Sequence, residues 1–443
     1  MNAASFLRRL LGRERASFGQ RVQHLVSLCE ALLGERGEVS GAALAREVVV
    51  EYETLDERSC DEFFEVLANE FAPAPEAVGK AADAYRYEPS PQNLQKLHEI
   101  LDSARQELFR RMNMAPGGTE MLVALRRRVL KGLKEHPSWS GIDADLLHLF
   151  RSWFNRGFLR LERIDWRTSA IVLEKLIQYE AVHAIQGWPD LRRRLAADRR
   201  CYAFFHPQLR DEPLIFIEVA LTQGMSAHVQ PLLDLRSTVE PPAQADSAIF
   251  YSITNCQEGL RGISFGNLLI KQVAEDLKRE LPQLRNFATL SPIPGFRRWL
   301  ASADTQVALA RGPEGEQRLA QLARLAKPDW HMGEVGEPLQ KLLMRLCAWY
   351  LLHAKRGAEP FDEVSRFHLG NGAALERLNW LGDTSPAGMA RSAGLMVNYA
   401  YRLEEVERNH ERYFDDHTVV ASRVVEKLAR KCPLAATAAP AER

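Results

Sequence analysis

The sequence lacks an excess of charge of either sign. Its 443 residues include 58 lysines and arginines and 58 aspartates and glutamates, so the formal net charge at pH 7 is zero. A chain without a global electrostatic field is not held on nucleic acid or on an anionic membrane by charge alone. We therefore expect no nucleic-acid partner and no membrane partner, and look instead for a small molecule or another subunit.

Long hydrophobic runs and cysteine motifs are also missing. No apolar stretch approaches the roughly 20 residues that span a bilayer. The six cysteines are scattered, with no CxxC pair and no spacing typical of a metal site. This usage suits a reduced compartment, so we predict a cytoplasmic protein without a metal.

The N-terminal stretch of residues 1–13 leaves a second location open. It is rich in arginine, and no acidic residue precedes Glu14. Organelle transit peptides share this composition. The same residues could equally form the first turn of a surface helix.

Two kinds of pattern divide the chain. Up to about residue 155 apolar residues recur at spacings of three and four, which predicts helices at 18–33, 60–71, 94–112 and 121–133. From residue 156 short β-branched and aromatic segments predict strands at 200–205, 212–222, 247–254 and 395–401, and amphipathic or apolar runs predict helices at 268–281, 339–352 and 418–431. We therefore predict two domains: an all-helical domain at residues 1–155, used for packing or oligomerisation, and an α+β catalytic domain at residues 156–443.

One serine stands in a conformationally restricted segment. Residues 288–296 have the sequence ATLSPIPGF. Pro292 and Pro294 each fix φ and favour an extended conformation in the residue before them, so Ser291 is held in place. Pro294 suits the first position of a helix at 295–300, which would place the serine hydroxyl near a helix N-terminus. A plain turn before a helix is the alternative interpretation.

A glycine-rich turn follows the strand predicted at 247–254. Residues 259–266 have the sequence GLRGISFG, and they lead into the helix predicted at 268–281. A strand, a glycine-rich turn and a helix together offer free backbone N–H groups to a phosphate. Taken alone, this is a weak indication of phosphate binding.

Four motifs in this order resemble the malonyl-CoA decarboxylase family. They are FYSI at 250–253, GISFGNLLIK at 262–271, LSPIPGF at 290–296 and FHLGNGA at 367–373, and the likeness continues at 344–351 and 394–401. The resemblance implies a catalytic domain with the fold of the GNAT-type N-acetyltransferases, in which acyl-CoA lies across a splayed mixed sheet. It also implies conversion of malonyl-CoA into acetyl-CoA and CO2.

The same resemblance assigns the site residues. Ser291 and His368 match the family's catalytic pair and are substrate-binding candidates as well. Tyr401 matches a supporting tyrosine, with a core tyrosine as the alternative. The turn that would receive the CoA pyrophosphate supplies the other substrate-binding candidates: Arg261, Gly262, Ile263, Ser264, Phe265, Gly266 and Asn267.

Two further residues and two departures from the family pattern bear on this assignment. Lys271 and Arg298 are further candidates for the CoA phosphates, although an arginine on a helix more often belongs to a solvated face. Many family members have a glutamate where this chain has Ser264, so the role of that glutamate is not transferred. The turn also departs from the general acetyltransferase pattern in the spacing of its glycines.

The chemistry needs no added group. Loss of CO2 from a malonyl thioester leaves a negative charge that delocalises onto the thioester oxygen, so the thioester is its own electron sink. We therefore expect no cofactor beyond the CoA of the substrate. One oxyanion donor is typically worth about 100-fold to 1,000-fold in rate.

The resemblance and this chemistry together suggest roles for the pair. We expect His368 to protonate C2 of the enolate or to relay that proton. Ser291 would hydrogen-bond either the malonyl carboxylate or the thioester oxygen. A covalent malonyl-serine ranks lower, because the reaction does not require acyl transfer.

Two other functions fit the same residues. An acyltransferase of this fold would move an acyl group to an amine or thiol, and a non-catalytic sensor would bind malonyl-CoA without consuming it. A sensor needs neither Ser291 nor His368, which argues against it. The resemblance further implies a homo-oligomer, with a tetramer as the expected form, and a place in fatty acid metabolism.

Overall fold

The computed structural model describes residues 3–34, 38–263, 265, 269–327, 329–332 and 336–436. The chain forms two compact units. The first comprises Met1–Arg160, Phe205–Leu214 and Cys256–Phe265; the second comprises Leu161–Phe204, Ile215–Asn255 and Gly266–Arg443. Each unit collects segments from several parts of the chain, and the predicted domain boundary after residue 155 stays a prediction.

The first unit is mainly helical, as the periodicity predicts. In its third helix the residues at helical spacing, among them Phe63 and Leu67, are buried. The helix predicted at 94–112 is two helices: the first ends at Leu101, and Ser103 caps the second by accepting a hydrogen bond from the Gln106 N–H. The helices are α1 Ala3–Gly34, α2 Glu38–Glu53, α3 Glu57–Asn69, α4 Pro75–Tyr87, α5 Pro91–Leu101, α6 Ala104–Asn113, α7 Gly118–Gly132 and α8 Ser140–Trp153.

The strands lie mainly in the second unit. All four predicted strands are present, as β2, β3, β4 and β10, within one or two residues of their predicted ends. The strands are β1 Arg160–Ile164, β2 Arg199–Phe205, β3 Pro213–Thr222, β4 Ser247–Asn255, β5 Asn286–Thr289, β6 Ser291–Pro292, β7 Lys355–Arg356, β8 Glu359–Pro360, β9 Ala374–Asn379 and β10 Met396–Ala400.

The helices of the second unit follow the same residue patterns. The predicted helices at 268–281 and 339–352 are α12 and α16. The predicted start of the last helix at residue 418 is wrong, because Ser422 caps that helix and the helix begins at Arg423. The helices are α9 Ala170–Tyr179, α10 Trp188–Arg194, α11 Gln230–Leu233, α12 Leu269–Glu280, α13 Phe296–Leu300, α14 Ala303–Ala310, α15 Gly315–Ala323, α16 Glu337–His353, α17 Glu363–Gly370, α18 Pro386–Ser392, α19 Val406–Asp416 and α20 Arg423–Arg430.

One mixed sheet organises these elements. Its strand order is β1-β2-β3-β4-β5-β10-β6, with β9 also paired to β10. β3 and β4 are antiparallel, β4 and β5 are parallel, and β10 is antiparallel to β5, β6 and β9. Helices followed by a mixed sheet confirm the predicted order of an all-helical part and an α+β part. Within the described residues, none of the helices is both long and apolar enough to cross a bilayer.

The sheet opens between β4 and β6. The parallel pairing of β4 with β5 ends at Phe250 and Thr289, and the Leu290 N–H still donates to the Phe250 carbonyl at 2.9 Å. Beyond this point β6 pairs with β10 instead, with Ser291 opposite Val397. The second half of β4 and the start of β6 therefore diverge and leave space between them, as expected of a splayed sheet.

Candidate active site

A cavity of about 310 Å³ occupies the space between the diverging strands. Ser291 and His368, both predicted site residues, lie in its wall, and Asn255 and Glu363 add polar groups. The rest of the wall is mainly apolar: Val182, Phe250, Tyr251, Ile253, Pro292, Val364 and Phe367. The cavity is thus a largely apolar pocket with a few polar groups, as small-molecule sites commonly are.

Ser291 is fixed by strand pairing and by hydrogen bonds. It is buried in β6, and its hydroxyl donates to Thr289 Oγ1 at 2.8 Å. The same oxygen lies 3.0 Å from His368 Nε2. The serine and histidine are 77 positions apart in the chain, yet the fold brings them into direct hydrogen-bonding contact.

His368 lies near the end of α17, so the first part of the FHLGNGA motif is helical. Its Nδ1 lies 2.8 Å from the Tyr401 hydroxyl, and its ring stacks on Tyr399 with centroids 4.6 Å apart. Tyr401, directly after β10, is also buried. The three predicted catalytic residues therefore form one hydrogen-bonded chain, and their catalytic roles stay predictions.

Burial determines which of the hydrogen-bonded groups in this site carry protons. His368 is only 2% exposed, and desolvation lowers its pKa from 6.5 to about 3, so the imidazole is neutral at physiological pH. Desolvation also raises the pKa of Tyr401 well above 10, which keeps its hydroxyl protonated. The 2.8 Å contact therefore joins a protonated phenol hydroxyl to a neutral imidazole.

A buried carboxylate joins the two segments that carry Ser291 and His368. Asp362 caps α17 by accepting from the Ser365 N–H at 3.0 Å, and it also accepts from the Gly295 N–H at 3.4 Å and the Tyr350 hydroxyl at 3.3 Å. Burial raises the pKa of Asp362. Asp362 thus fixes the helix of His368 against the turn that follows Ser291.

This arrangement corrects the predicted environment of the serine. The helix after the prolines, α13, has only five residues and begins at Phe296, after Gly295. The Ser291 hydroxyl is engaged by Thr289 and His368 instead of by that helix N-terminus. The prolines still restrict the segment, but the pairing of β6 with β10 decides where the hydroxyl points.

The glycine-rich turn is described only in part. Arg261 is exposed, Gly262 has φ of +80°, and Ile263 and Phe265 are buried. Three predicted substrate-binding residues, Ser264, Gly266 and Asn267, lie outside the described residues. The role of the turn in binding CoA stays a prediction.

The other candidate cations have partners in the structure. The Lys271 ammonium, in the first turn of α12, contacts Glu407 at 2.6 Å and Glu275 at 3.6 Å. Arg298 is exposed on α13, with its guanidinium 6.0 Å from the Phe361 ring centroid. Neither contact assigns a ligand, so both remain candidates. Across the part of the chain that the structure describes, no group of three or more His, Cys, Asp or Glu residues is placed to hold a metal.

Known proteins share this combination of sequence and fold. The family model for the malonyl-CoA decarboxylase C-terminal domain matches residues 157–439, and the model for the N-terminal domain matches residues 71–154. The chain belongs to the malonyl-CoA decarboxylase family.

Solved and curated members of the family align over most of the chain. The crystal structure of malonyl-CoA decarboxylase from Rhodopseudomonas palustris is 47% identical, with a TM-score of 0.85 over 92% of this chain and 99% of that one. The structure from Agrobacterium vitis gives 46% identity and a TM-score of 0.83 over 92% and 99%. The mitochondrial malonyl-CoA decarboxylase of Anser anser anser is 40% identical over 342 residues, which is 72% of this chain and 68% of the relative.

For a member of a decarboxylase family, the charge of the pocket wall is informative. The described lining contains no lysine or arginine, and its one acidic residue, Glu363, is exposed. The described lining therefore offers a carboxylate in this pocket no cation to balance its charge. Such a wall favours loss of the charge over its retention.

Two residues that contribute to this site were not predicted from the sequence. Thr289 belongs to the restricted segment 288–296, but nothing in the sequence marks it as the residue that accepts the Ser291 hydrogen bond. Asp362 precedes a run that continues to Ser365 and beyond with helical spacing, and an aspartate before such a run is a helix-start signal that could have been found. The signal for Thr289 is weaker, because its role depends on how β5, β6 and β10 meet.

Proposed function

We propose that this family member converts malonyl-CoA into acetyl-CoA and CO2, with the malonyl group in the cavity beside Ser291 and His368. The observation that carries the proposal is the chain of hydrogen bonds from Ser291 through His368 to Tyr401, which ends at a mainly apolar cavity. Family membership supplies the substrate, and the chain of hydrogen bonds supplies the chemistry.

The first step breaks the bond between C2 and the carboxylate. Its electron pair moves onto the thioester as an enolate while CO2 leaves, so charge that was concentrated on the carboxylate becomes dispersed. The apolar wall formed by residues such as Phe250 and Phe367 favours that dispersal, because it solvates a compact anion poorly. A hydrogen bond from the pocket to the thioester oxygen would stabilise the enolate further.

The second step supplies a proton to C2. The neutral His368 gives up its ring proton, directly or through the Ser291 hydroxyl, and its Nδ1 takes the Tyr401 hydroxyl proton in exchange. A thioester enolate is a much stronger base than a phenolate, so this transfer is downhill. Tyr401 then recovers a proton from solvent, and each turnover consumes one proton.

The test is release of CO2 from malonyl-CoA by the purified chain without an acceptor or an added cofactor. We expect His368→Ala to abolish most of this activity and Ser291→Ala to lower it by about 100-fold or more. A suitable control is His206→Asn, since His206 is also buried but bonds the Trp153 carbonyl and does not line the cavity. Full activity in both site variants would refute the assignment of the residues.

The same assay separates the other functions. Turnover that depends on an added amine or thiol, with transfer of an acyl group to it, would identify an acyltransferase. Tight binding of malonyl-CoA in calorimetry, with the ligand recovered intact, would identify a sensor. Either result would replace the decarboxylase proposal.

The remaining proposals concern the molecule in the cell. We propose a homo-oligomer, with a tetramer as the expected form, and light scattering on the purified chain measures this directly. We also propose that no metal or organic cofactor takes part, because the thioester itself accepts the electron pair. A cytoplasmic location and a role in fatty acid metabolism are proposed too, although the named relatives include mitochondrial enzymes.

A further inference from the structure

We infer that Thr289 is a positioning residue that holds the Ser291 hydroxyl proton away from His368, so that His368 keeps its own proton on Nε2, directed at Ser291 Oγ. The inference rests on the proposed function and defines how the serine takes part in it. Its consequence is that, in the resting enzyme, Ser291 is not activated as a nucleophile that would form an acyl-enzyme.

Thr289 is held in place by its surroundings. It ends β5, is fully buried, and pairs with Phe250 of β4. Its hydroxyl oxygen accepts from the Tyr399 N–H at 3.1 Å, and its carbonyl accepts from Asn398 Nδ2 at 2.6 Å. Because both its backbone and its side chain are fixed, Thr289 presents a hydroxyl oxygen in a defined position to the Ser291 hydroxyl.

The direction of the Ser291–Thr289 hydrogen bond, in which the serine is the donor, determines the direction of the other two. A serine hydroxyl has one hydrogen, and that of Ser291 is donated to Thr289 Oγ1. The 3.0 Å contact between Ser291 Oγ and His368 Nε2 then needs its hydrogen from the imidazole. A neutral imidazole has only one N–H, so Nδ1 is the acceptor of the Tyr401 hydroxyl. The chain therefore runs in one direction, from Tyr401 through His368 and Ser291 to Thr289.

This direction is opposite to that of a serine nucleophile. In a hydrolase pair the hydroxyl donates to the histidine, which removes its proton during attack. Here Thr289 takes the place of the base as acceptor, and His368 presents a proton instead of a lone pair. The arrangement suits a histidine whose task is to give a proton to C2 of the enolate.

Replacement of Thr289 tests the inference by two opposite changes. In Thr289→Val the shape is kept but the acceptor is lost, so we expect the Ser291 hydroxyl to turn towards His368 Nε2. Labelling of Ser291 by a fluorophosphonate should then rise by about tenfold or more, while CO2 release falls by about tenfold to 100-fold. Thr289→Ser keeps a hydroxyl and should behave like the wild type in both assays.

The controls separate this role from a structural one. Thr289→Val also leaves the Tyr399 N–H without its acceptor, so the unfolding midpoint of each variant is measured. A merely structural role would lower CO2 release and would not raise the labelling of Ser291. Labelling that stays at the wild-type level in a folded Thr289→Val protein would overturn the inference.

A measurement on the unaltered protein covers the case in which Thr289→Val does not fold. In wild-type protein labelled with ¹⁵N-histidine, the His368 signals, assigned by their loss in His368→Asn, should show a protonated Nε2 and an unprotonated Nδ1. A proton on Nδ1 would overturn the inference. Because neither this measurement nor fluorophosphonate labelling requires malonyl-CoA turnover, failure of the proposed function would be seen separately, as absence of CO2 release.

Discussion

At the scale of single residues, burial decides what His368 can do. An exposed histidine would be partly protonated near pH 6.5, whereas desolvation lowers the pKa of His368 to about 3. The residue is therefore neutral near pH 7, and it does not act as a stored cation. That property cannot be inferred from the FHLGNGA motif, because it depends on residues such as Tyr399 that pack on the ring.

The low pKa of His368 predicts how stability depends on pH. Below pH 6.5 the histidine is protonated in the unfolded protein, whereas in the folded protein it stays neutral down to about pH 3. Its contribution to stability is therefore complete above pH 6.5 and is lost as the pH falls, by about 1.4 kcal/mol per pH unit. Urea unfolding between pH 7 and pH 5 should show a shallower loss for His368→Gln than for the wild type. Parallel losses would contradict a buried neutral histidine.

The hydroxyl of Tyr401 should affect turnover more than binding. Tyr401→Phe removes the donor to His368 Nδ1, so the imidazole loses both its proton source and its fixed tautomer. We expect kcat for malonyl-CoA to fall by about tenfold to 100-fold with little change in KM. Tyr399→Phe is the matched control, because Tyr399 stacks its ring on His368 and the variant keeps that ring. Equal losses in the two variants would indicate that loss of any buried hydroxyl beside His368, and not of the donor to Nδ1 in particular, is responsible.

At the scale of elements, local sequence patterns were sufficient to predict where strands lie, but not which strands pair over a long distance in the sequence. The strands containing Ile217 and Ile249 were predicted because β-branched and aromatic residues are concentrated in them. The restricted conformation of Ser291 followed from its prolines. The partner of that segment did not, because β6 has only two residues and is defined by pairing with β10 more than a hundred positions later.

Gly295, directly before α13, has no room for a larger side chain. A methyl group at this position would lie 2.2 Å from the Tyr350 hydroxyl and 3.5 Å from Asp362 Oδ2. We expect Gly295→Ala to displace the contact that joins α13 to the cap of α17 and to cost about 1–3 kcal/mol of stability. Thermal unfolding measures this, and Gly79→Ala, in a helix with open space around it, should cause no loss.

A second substitution tests the cause of that loss. Tyr350→Phe removes the hydroxyl that the new methyl group would meet, although it also removes a hydrogen bond to Asp362. If the clash is responsible, the double variant should be more stable than the sum of the two single losses predicts. Simple additivity would show that Gly295 matters for another reason.

At the scale of the whole molecule, the order of fold classes was predictable and the composition of the units was not. Periodicity indicated helices first and a mixed sheet afterwards. It could not indicate that the helical unit also takes up residues 205–214 and 256–265. The reason is again long-range contact: Arg126 of α7 donates to the Gly259 carbonyl at 2.8 Å across 133 positions of sequence.

This contact gives the helical unit a predicted part in substrate binding. Arg126 is buried, and it is held by Asp143 at 2.8 Å while it supports Gly259, two residues before the turn predicted to receive the CoA pyrophosphate. Arg126→Met should loosen the start of that turn. We expect KM for malonyl-CoA to rise by roughly tenfold, the effect of losing about one buried hydrogen bond to a charged group, and kcat to change little. Arg128→Met, two residues along α7 and paired with Asp61 at the surface, should leave both constants near wild type. The chain of hydrogen bonds through His368 lies outside this contact, so kcat should not depend on Arg126. A fall in kcat with KM unchanged would therefore refute the predicted link to CoA binding. It would show that α7 supports the chemistry in some other way.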